Sequence, residues 1–273
     1  MKRRVLVVGL GGWATKVAKR LEELFSFEVR QLSARSLLIN QVILEGDPKF
    51  HMLVSATRPE IQEQIILQCL DLSNHIWLEK PVSKTYEGAQ RLFSLIDGKD
   101  SINSLVNFSW MFSEIWNKFK SYEMDFDSVR EIEVSRNAYE ETHSYMSARE
   151  DYGSHDIALL IDWITSMSGN AVDFRQQDFG ANHFYTVLNN VPVKWKIEFN
   201  SQGKRMIWNI TWKSSEKTVI DFYNNVILHR GERISVPISD NIREFVTVLT
   251  NKHKPTEKHN HQLALMTKEF FCS

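Results

Sequence analysis

The stretch that decides the fold is Arg4-Val5-Leu6-Val7-Val8-Gly9-Leu10-Gly11-Gly12-Trp13-Ala14-Thr15-Lys16-Val17-Ala18. Its first part is a β-rich apolar run, which is typical of a central parallel strand buried on both faces. Its last part begins an amphipathic pattern in which apolar residues recur at helical spacing from Ala14 to Leu24. A strand, a glycine turn and a helix in this order predict the start of a doubly wound parallel sheet.

The turn itself, Gly9-Leu10-Gly11-Gly12-Trp13-Ala14, has the G-x-G-x-x-A form of a dinucleotide-binding fingerprint. The first glycine permits a tight turn, the second lets the backbone approach a pyrophosphate, and Ala14 lets the helix lie close to the strand. The start of the following helix offers unpaired N–H groups and a positive dipole to phosphate. The turn therefore predicts a dinucleotide site.

The end of the second strand indicates which dinucleotide is bound. An enzyme that uses NAD carries an acidic residue there to hold the ribose hydroxyls. This chain reads Leu32-Ser33-Ala34-Arg35-Ser36 at that place, with no carboxylate. A guanidinium beside two hydroxyls suits a 2′-phosphate. We therefore expect Ser33, Ala34, Arg35 and Ser36 to bind NADP(H).

Beyond this region the chain changes character at about residue 106. Before it, strands and helices alternate, which predicts an N-terminal Rossmann domain over residues 1–106 with a doubly wound parallel sheet. After it, β-rich runs follow one another, separated by turn signals such as Asn189-Asn190 and Arg230-Gly231, which predicts a mostly antiparallel open sheet. The runs cover residues 184–188, 193–199, 206–212, 218–223 and 226–230. We assign residues 107–273 to a C-terminal α+β domain.

Composition excludes several classes of protein. The net charge of −1 gives no electrostatic footprint for nucleic acid or an anionic membrane surface. No apolar run is long enough to span a bilayer. Two cysteines, Cys69 and Cys272, form neither a disulfide framework nor a metal cluster. We expect a cytoplasmic protein with no metal, which binds neither nucleic acid nor a membrane.

Two further elements of the sequence are in register with the glycine turn. The first runs from Val54-Ser55-Ala56-Thr57-Arg58-Pro59 through a predicted helix to Leu78-Glu79-Lys80-Pro81-Val82. The second is Asp151-Tyr152-Gly153-Ser154-His155-Asp156-Ile157. With the turn, they make the chain resemble the Gfo/Idh/MocA family, the group of glucose-fructose oxidoreductase and inositol dehydrogenase. The resemblance covers most of the chain. It implies that the C-terminal domain binds a small-molecule substrate and that its open sheet joins copies of the chain into a dimer or tetramer.

That resemblance implies roles for individual residues. It implies that Lys80 reaches toward the reacting hydroxyl or carbonyl, that Asp151 and His155 are the catalytic aspartate and histidine, and that the Lys80–Pro81 bond is cis. It also implies a cofactor site that includes Thr57, Arg58, Pro59, Glu79, Lys80 and Pro81. Independently of the family, Asp151 and His155 are one helical turn apart. A neutral imidazole near a helix start can accept an alcohol proton, and a lysine ammonium can polarise a carbonyl.

One position departs from the family pattern. Many relatives carry a second aspartate three residues after the histidine, where this chain has Ala158. Its function is therefore missing or is supplied by Asp156. Substrate contacts are expected from a set of polar and aromatic residues, namely Asn107, Trp110, Arg136, Tyr139, His143, Tyr145 and His183. We interpret most tryptophans as core residues, and His253, His259 and His261 as solvated rather than metal-binding.

Three functional hypotheses follow. The leading one is an NADP-dependent oxidoreductase that transfers hydride between nicotinamide and a small polar carbonyl, alcohol or imine, such as a sugar, sugar nucleotide or cyclitol. A second is a lyase or hydrolase that uses a tightly bound cofactor for transient redox chemistry. A third is a nucleotide-sensing protein without turnover. Lys80, Asp151 and His155 favour the enzymes, because a sensor has no need of them.

Overall fold

A computed structural model describes residues 2–39, 49–138, 149–168, 172–179, 183–199, 203–251 and 254–272. They form two compact units: the first unit comprises Met1–Phe108 and Asn241–Cys272, and the second comprises Ser109–Asp240. The sequence-based division places all of residues 107–273 in a second domain, whereas the contacts group Asn241–Cys272 with the first unit. The last two helices pack on the first sheet, and no local pattern in the sequence encodes that long-range return.

The secondary structure consists of strands and helices numbered here in chain order. The strands are β1 Arg4–Val8, β2 Glu28–Leu32, β3 Phe50–Ser55, β4 Ser73–Leu78, β5 Asn103–Val106, β6 Val129–Ala138, β7 Phe174–Phe179, β8 His183–Leu188, β9 Val191–Phe199, β10 Arg205–Trp212, β11 Lys217–Asp221, β12 Val226–His229 and β13 Glu232–Ser235. The α-helices are α1 Gly12–Phe25, α2 Ala34–Ile39, α3 Pro59–Cys69, α4 Tyr86–Asp97, α5 Glu114–Lys120, α6 Ser154–Ser168, α7 Asn241–Thr250 and α8 Lys254–Cys272.

The first unit is built on a five-stranded parallel sheet in the order β2-β1-β3-β4-β5. The four residues from Val5 to Val8 are fully buried, as expected for a central strand covered on both faces. Because every strand runs in the same direction, the loops that follow them emerge at one edge of the sheet. In open parallel sheets that edge is where ligands bind.

The C-terminal helix α8 completes this unit by covering the edge strand β5. The Glu257 carboxylate accepts a hydrogen bond from the backbone N–H of Ser104 at 2.8 Å. The Asn260 side chain accepts from the Val106 N–H at 2.7 Å and donates to the Val106 carbonyl at 3.1 Å. Side chains of α8 thus take the place of a further strand and satisfy the free edge of the sheet.

The second unit is built on an eight-stranded sheet in the order β13-β12-β11-β10-β6-β9-β8-β7. Only the β6–β9 pair among these neighbours is parallel, in the described part of the chain. The predicted turns at Asn189-Asn190 and Arg230-Gly231 have positive φ, which fits the tight hairpins they close. The fold class is therefore confirmed, although the sequence pattern missed β7 and β13. None of the helices in the described ranges has the length and apolarity needed to cross a bilayer.

Candidate functional site

The glycine turn follows β1 and leads directly into α1. Gly9 has φ +134°, and a β-carbon there would collide with the carbonyl oxygen of Ala56. Gly9 is therefore required by the packing of the turn itself. By contrast, a β-carbon at Gly11 or Gly12 would meet nothing within 4 Å. The two later glycines thus leave open space beside the backbone, where a ligand could approach closely.

The start of α1 is suited to an anion. Its N-cap is Gly11, which makes no side-chain capping bond, and the first turn carries no acidic residue. Lys16 lies in the second turn, with its ammonium 5.5 Å from the centre of the Trp13 ring. Backbone N–H groups at a helix start, with a cation nearby, are the donor set that phosphate requires. These residues therefore fit the pyrophosphate of a dinucleotide.

In the loop after β2, Arg35 lies at the surface, and the two serines hydrogen-bond to each other. Ser33 Oγ accepts the backbone N–H of Ser36 at 2.9 Å and donates to Ser36 Oγ at 2.7 Å. Arg35 is exposed, and residues 32–36 contain no carboxylate. Just before the loop, Gln31 donates to the Gly9 carbonyl at 2.8 Å and so ties β2 to the glycine turn.

The loop after β3 carries the predicted residues Thr57, Arg58 and Pro59. The Thr57 hydroxyl is 3.3 Å from Ser55 Oγ. Arg58 is the extended N-cap of α3, and Pro59 occupies the first turn of that helix, where a missing N–H has no consequence. The structure therefore places these residues at the same sheet edge as the glycine turn.

The loop after β4 presents a buried carboxylate, Glu79, that is 9% exposed. A single oxygen, Glu79 Oε1, accepts three N–H donors: Trp13 Nε1 at 2.7 Å, Trp77 Nε1 at 2.8 Å and Asn107 Nδ2 at 2.9 Å. Burial raises the pKa of Glu79, while these hydrogen bonds and the charge of Lys80 act in the opposite direction.

Lys80 and Pro81 follow, joined by the predicted cis peptide bond. This turn is held from α3 by Gln62, which is fully buried. The Gln62 amide donates to the carbonyls of Glu79 and Val82, both at 2.9 Å, and its oxygen accepts the Glu79 N–H at 3.2 Å. The backbone on either side of Lys80 is thus fixed by one side chain.

In the second unit, Asp151 and His155 lie on consecutive helical turns. A π-helical turn, Arg149–Gly153, carries Asp151 and runs into α6, whose second residue is His155. Both side chains are half-buried. The expected helical continuity between them is present, but His155 lies one turn inside the helical segment rather than at its start.

The residue after His155 points into the core of this unit. The Asp156 carboxylate is fully buried, accepts from Arg136 Nε and also accepts from Trp208 Nε1 at 2.8 Å. Burial raises the pKa of Asp156, and the Arg136 charge opposes that shift. Arg136 is itself only 5% exposed. This predicted substrate residue is therefore engaged in a buried ion pair with α6.

Comparison with known proteins gives a match in structure only. No protein-family model matches the chain, and no curated protein matches its sequence. UDP-N-acetylglucosamine 3-dehydrogenase GnnA from Acidithiobacillus ferrooxidans superposes with a TM-score of 0.74 at 15% identity, over 98% of this chain and 96% of that one. The dehydrogenase MviM from Clostridium difficile gives 0.72 at 14% identity, over 99% and 97%. GenD2 from gentamicin A biosynthesis, solved in complex with NAD, gives 0.68 at 12%, over 98% and 91%.

The chain has the fold of the Gfo/Idh/MocA oxidoreductases. The matches extend over both units, so the likeness is to the whole two-unit architecture rather than to the first unit alone. At these identities the superpositions establish the fold alone.

The remaining predicted substrate residues of this Gfo/Idh/MocA-like chain have different surroundings. Asn107 is 3% exposed and its amide is used by Glu79. Trp110 is half-buried, with its ring 5.2 Å from that of Tyr223. His183 is exposed at the start of β8. Tyr139, His143 and Tyr145 lie outside the described residues.

The interpretation of the C-terminal histidines as solvated is wrong for His261. Its side chain is buried, its Nε2 is 2.7 Å from Ser104 Oγ, and its ring stacks on Phe93 with centroids 4.2 Å apart. Atoms of His261, Glu257 and Asp97 lie within 4.8 Å of one another, a spacing that a cation could bridge. The hydrogen bonds to β5 already account for the burial of His261 and Glu257. His253 lies outside the described residues.

Sequence reasoning missed two glutamines that shape this site, Gln31 and Gln62. A signal for Gln62 was available, because it lies three and four residues before Ile65 and Ile66, on the apolar face of α3. A polar side chain at such a position is buried only with hydrogen-bond partners. Gln31 had no comparable signal, since it lies in a short strand without clear alternation.

Proposed function

We propose that this protein is an oxidoreductase that binds a nicotinamide dinucleotide at the glycine turn. The observation that carries the proposal is the contrast within that turn: Gly9 is required by packing against Ala56, whereas Gly11 and Gly12 face open space at a helix start. A turn that served packing alone would need only the first glycine. The likeness in fold to proteins named as dehydrogenases supports the same reading.

The proposal includes a preference for NADP(H) over NAD(H). Its support is the exposed Arg35 in a loop that lacks any carboxylate. A guanidinium pairs with a 2′-phosphate, whereas ribose hydroxyls are held by an acidic residue. One structural neighbour, GenD2, was solved in complex with NAD, so the proposed preference for NADP(H) rests on the loop after β2 and not on the fold.

The proposed substrate is a small polar carbonyl, alcohol or imine, in particular a sugar or sugar nucleotide. Support for the sugar nucleotide comes from GnnA, which is named as a UDP-N-acetylglucosamine dehydrogenase. Hydride transfer is the chemistry that the nicotinamide supplies when bound. On the family resemblance, Lys80 polarises the substrate oxygen, and His155, with Asp151 one turn before it, carries the alcohol proton.

A titration of nicotinamide fluorescence tests the cofactor part. Wild-type protein should bind NADPH more tightly than NADH, and Arg35→Ala should weaken NADPH binding by about tenfold with little effect on NADH. Arg91→Ala is the matched control, because Arg91 is an exposed arginine of the same unit that pairs with Glu63 on α3. Tighter binding of NADH by the wild type, or an unchanged affinity in Arg35→Ala, would contradict the NADP preference.

Turnover tests the catalytic part. A thermal-shift screen of sugars, sugar nucleotides and imines with NADPH present should identify a stabilising ligand, since any ligand that binds only the folded state raises its stability. With that substrate, Lys80→Ala and His155→Ala should each lower turnover at least about tenfold. Lys84→Ala, at an exposed lysine nearby, should not. Full activity in both of these variants would contradict the assignment of Lys80 and His155 as catalytic residues.

We also propose that the eight-stranded sheet joins copies of this chain into a dimer or tetramer. Its support is the family resemblance, in which the open sheet joins the subunits, and most soluble oligomers are symmetric assemblies of one chain. Analytical ultracentrifugation at several protein concentrations tests this directly. A monomer at the highest concentration would contradict it.

A further inference from the structure

Three N–H donors meet on one oxygen of Glu79, and they are not equivalent. Trp77 is fully buried within β4, and Asn107 is 3% exposed after β5. The third, Trp13, belongs to the glycine turn and keeps 39% of its surface exposed. Two of the donors are therefore buried, and the third, partly exposed donor belongs to the element that is proposed to bind the cofactor.

The indole of Trp13 is fixed at its edge and on its face. Its Nε1 donates to Glu79 Oε1 at 2.7 Å, and the Lys16 ammonium lies 5.5 Å from its ring centre. Trp13 is the second residue of α1. Its backbone N–H thus belongs to the first turn, whose N–H groups are the ones available to phosphate.

The acceptor is also fixed. Gln62 holds the backbone of Glu79 through both its N–H and its carbonyl, at 3.2 and 2.9 Å. The next residue in the chain is Lys80. One side-chain hydrogen bond therefore joins the helix start at the glycine turn to a rigid turn that carries the proposed catalytic lysine.

We infer that Trp13 is a positioning residue whose indole N–H, bound to Glu79, holds the glycine turn in its cofactor-binding geometry against the turn that carries Lys80. The inference rests on the proposed function. An indole N–H can only donate a hydrogen bond, so a positioning role for it requires an acceptor that is present whether or not a ligand is bound. Glu79 is such an acceptor, because its Oε1 can accept hydrogen bonds whether or not a proton resides on Oε2.

The structure offers a matched comparison for this role. Trp77 donates to the same Glu79 oxygen at nearly the same distance, 2.8 Å, but lies in β4 and packs on Phe245 with ring centroids 4.5 Å apart. Removing its N–H also takes a donor from Glu79, yet leaves the glycine turn attached. If Trp13 had only a structural role, removing the N–H of either tryptophan would change NADPH affinity to the same extent.

The test compares Trp13→Phe with Trp77→Phe, since phenylalanine keeps an aromatic ring and removes the N–H. NADPH affinity is measured by nicotinamide fluorescence, and stability by urea unfolding. Trp13→Phe should weaken NADPH binding on the order of tenfold, since the hydrogen bond that holds the glycine turn to Glu79 is lost, with a small change in the unfolding midpoint. Trp77→Phe should lower the midpoint more and leave NADPH affinity within about twofold.

A second pair at the acceptor checks the same hydrogen bond. Glu79→Gln keeps an oxygen that can accept the Trp13 N–H, whereas Glu79→Leu keeps none. Glu79→Leu should therefore weaken NADPH binding more than Glu79→Gln does, and by at least as much as Trp13→Phe, and adding Trp13→Phe to Glu79→Leu should cause no further decrease.

The outcomes separate the two proposals. If the wild type binds neither NADPH nor NADH, the proposed function fails and the inference fails with it. If the wild type binds NADPH and Trp13→Phe binds it equally well, or loses no more affinity than Trp77→Phe, the inference alone is overturned.

Discussion

The buried pair between Arg136 and Asp156 allows a quantitative prediction about the second unit. Arg136→Met removes the guanidinium but retains an unbranched side chain of similar length. Arg136 is 5% exposed and Asp156 is fully buried, so among the described residues the variant leaves the buried carboxylate with Trp208 as its hydrogen-bond donor. Removing one member of a buried ion pair destabilises by about 3–5 kcal/mol.

The sign of the pH dependence follows from the pKa of Asp156. Burial already raises that pKa, and Arg136 supplies the largest opposing effect. In Arg136→Met the folded-state pKa therefore rises further above that of the unfolded chain. A carboxyl with a raised folded pKa contributes stability at low pH that is lost as the pH rises. The variant should consequently lie closest to wild type near pH 5 and be most destabilised above neutrality.

Urea unfolding at several pH values measures these differences. Arg175→Met is the control, because Arg175 pairs with Asp173 at the surface, with side chains 67% and 60% exposed, and should have little effect. The double variant Arg136→Met, Asp156→Leu should recover much of the lost stability, since neither charge of the buried pair remains. A loss below about 1 kcal/mol in Arg136→Met at neutral pH, or a loss that shrinks as the pH rises, would refute the reasoning.

Three further predictions concern the first unit. Gly9→Ala should abolish NADPH binding and lower the unfolding midpoint, because its β-carbon would meet the carbonyl of Ala56, and a fluorescence titration with a urea melt checks both effects. Burial raises the pKa of the Cys69 thiol to about 12, so in a Cys272→Ser background it should react with a disulfide reagent only after unfolding; reaction in the native protein would contradict this. Burial also raises the pKa of Glu79, so wild type should lose stability relative to Glu79→Gln as the pH rises through the window above the usual carboxyl range, measured by urea unfolding of both proteins.

The parts of the fold that could be predicted are those that depend on neighbours in sequence. The strand, glycine turn and first helix are defined by a short pattern, and α1 is observed at Gly12–Phe25 against a predicted core of residues 14–24. The turns at Asn189-Asn190 and Arg230-Gly231 could also be predicted, because asparagine and glycine tolerate the positive φ that tight turns require.

The parts that could not be predicted depend on contacts between distant residues. Nothing in the polar pattern around Glu257 and Asn260 shows that these side chains hydrogen-bond to β5, about 150 positions earlier in the chain. The same applies to the tryptophans: the sequence indicates large buried rings, but not that Trp208 donates to Asp156 or Trp116 to Asp162. Composition supplies donors and acceptors, and only the fold pairs them.

The covering of β5 by α8 has a consequence for synthesis on the ribosome. The first unit is discontinuous, with residues 109–240 inserted before its last two helices. Until α8 emerges, the N–H groups of Ser104 and Val106 lack the acceptors on Glu257 and Asn260, and the nascent chain presents an open strand edge. Such an edge can pair with other chains. The inserted unit is complete earlier and can fold first, so the first unit is completed last, although its strands are translated before the inserted unit.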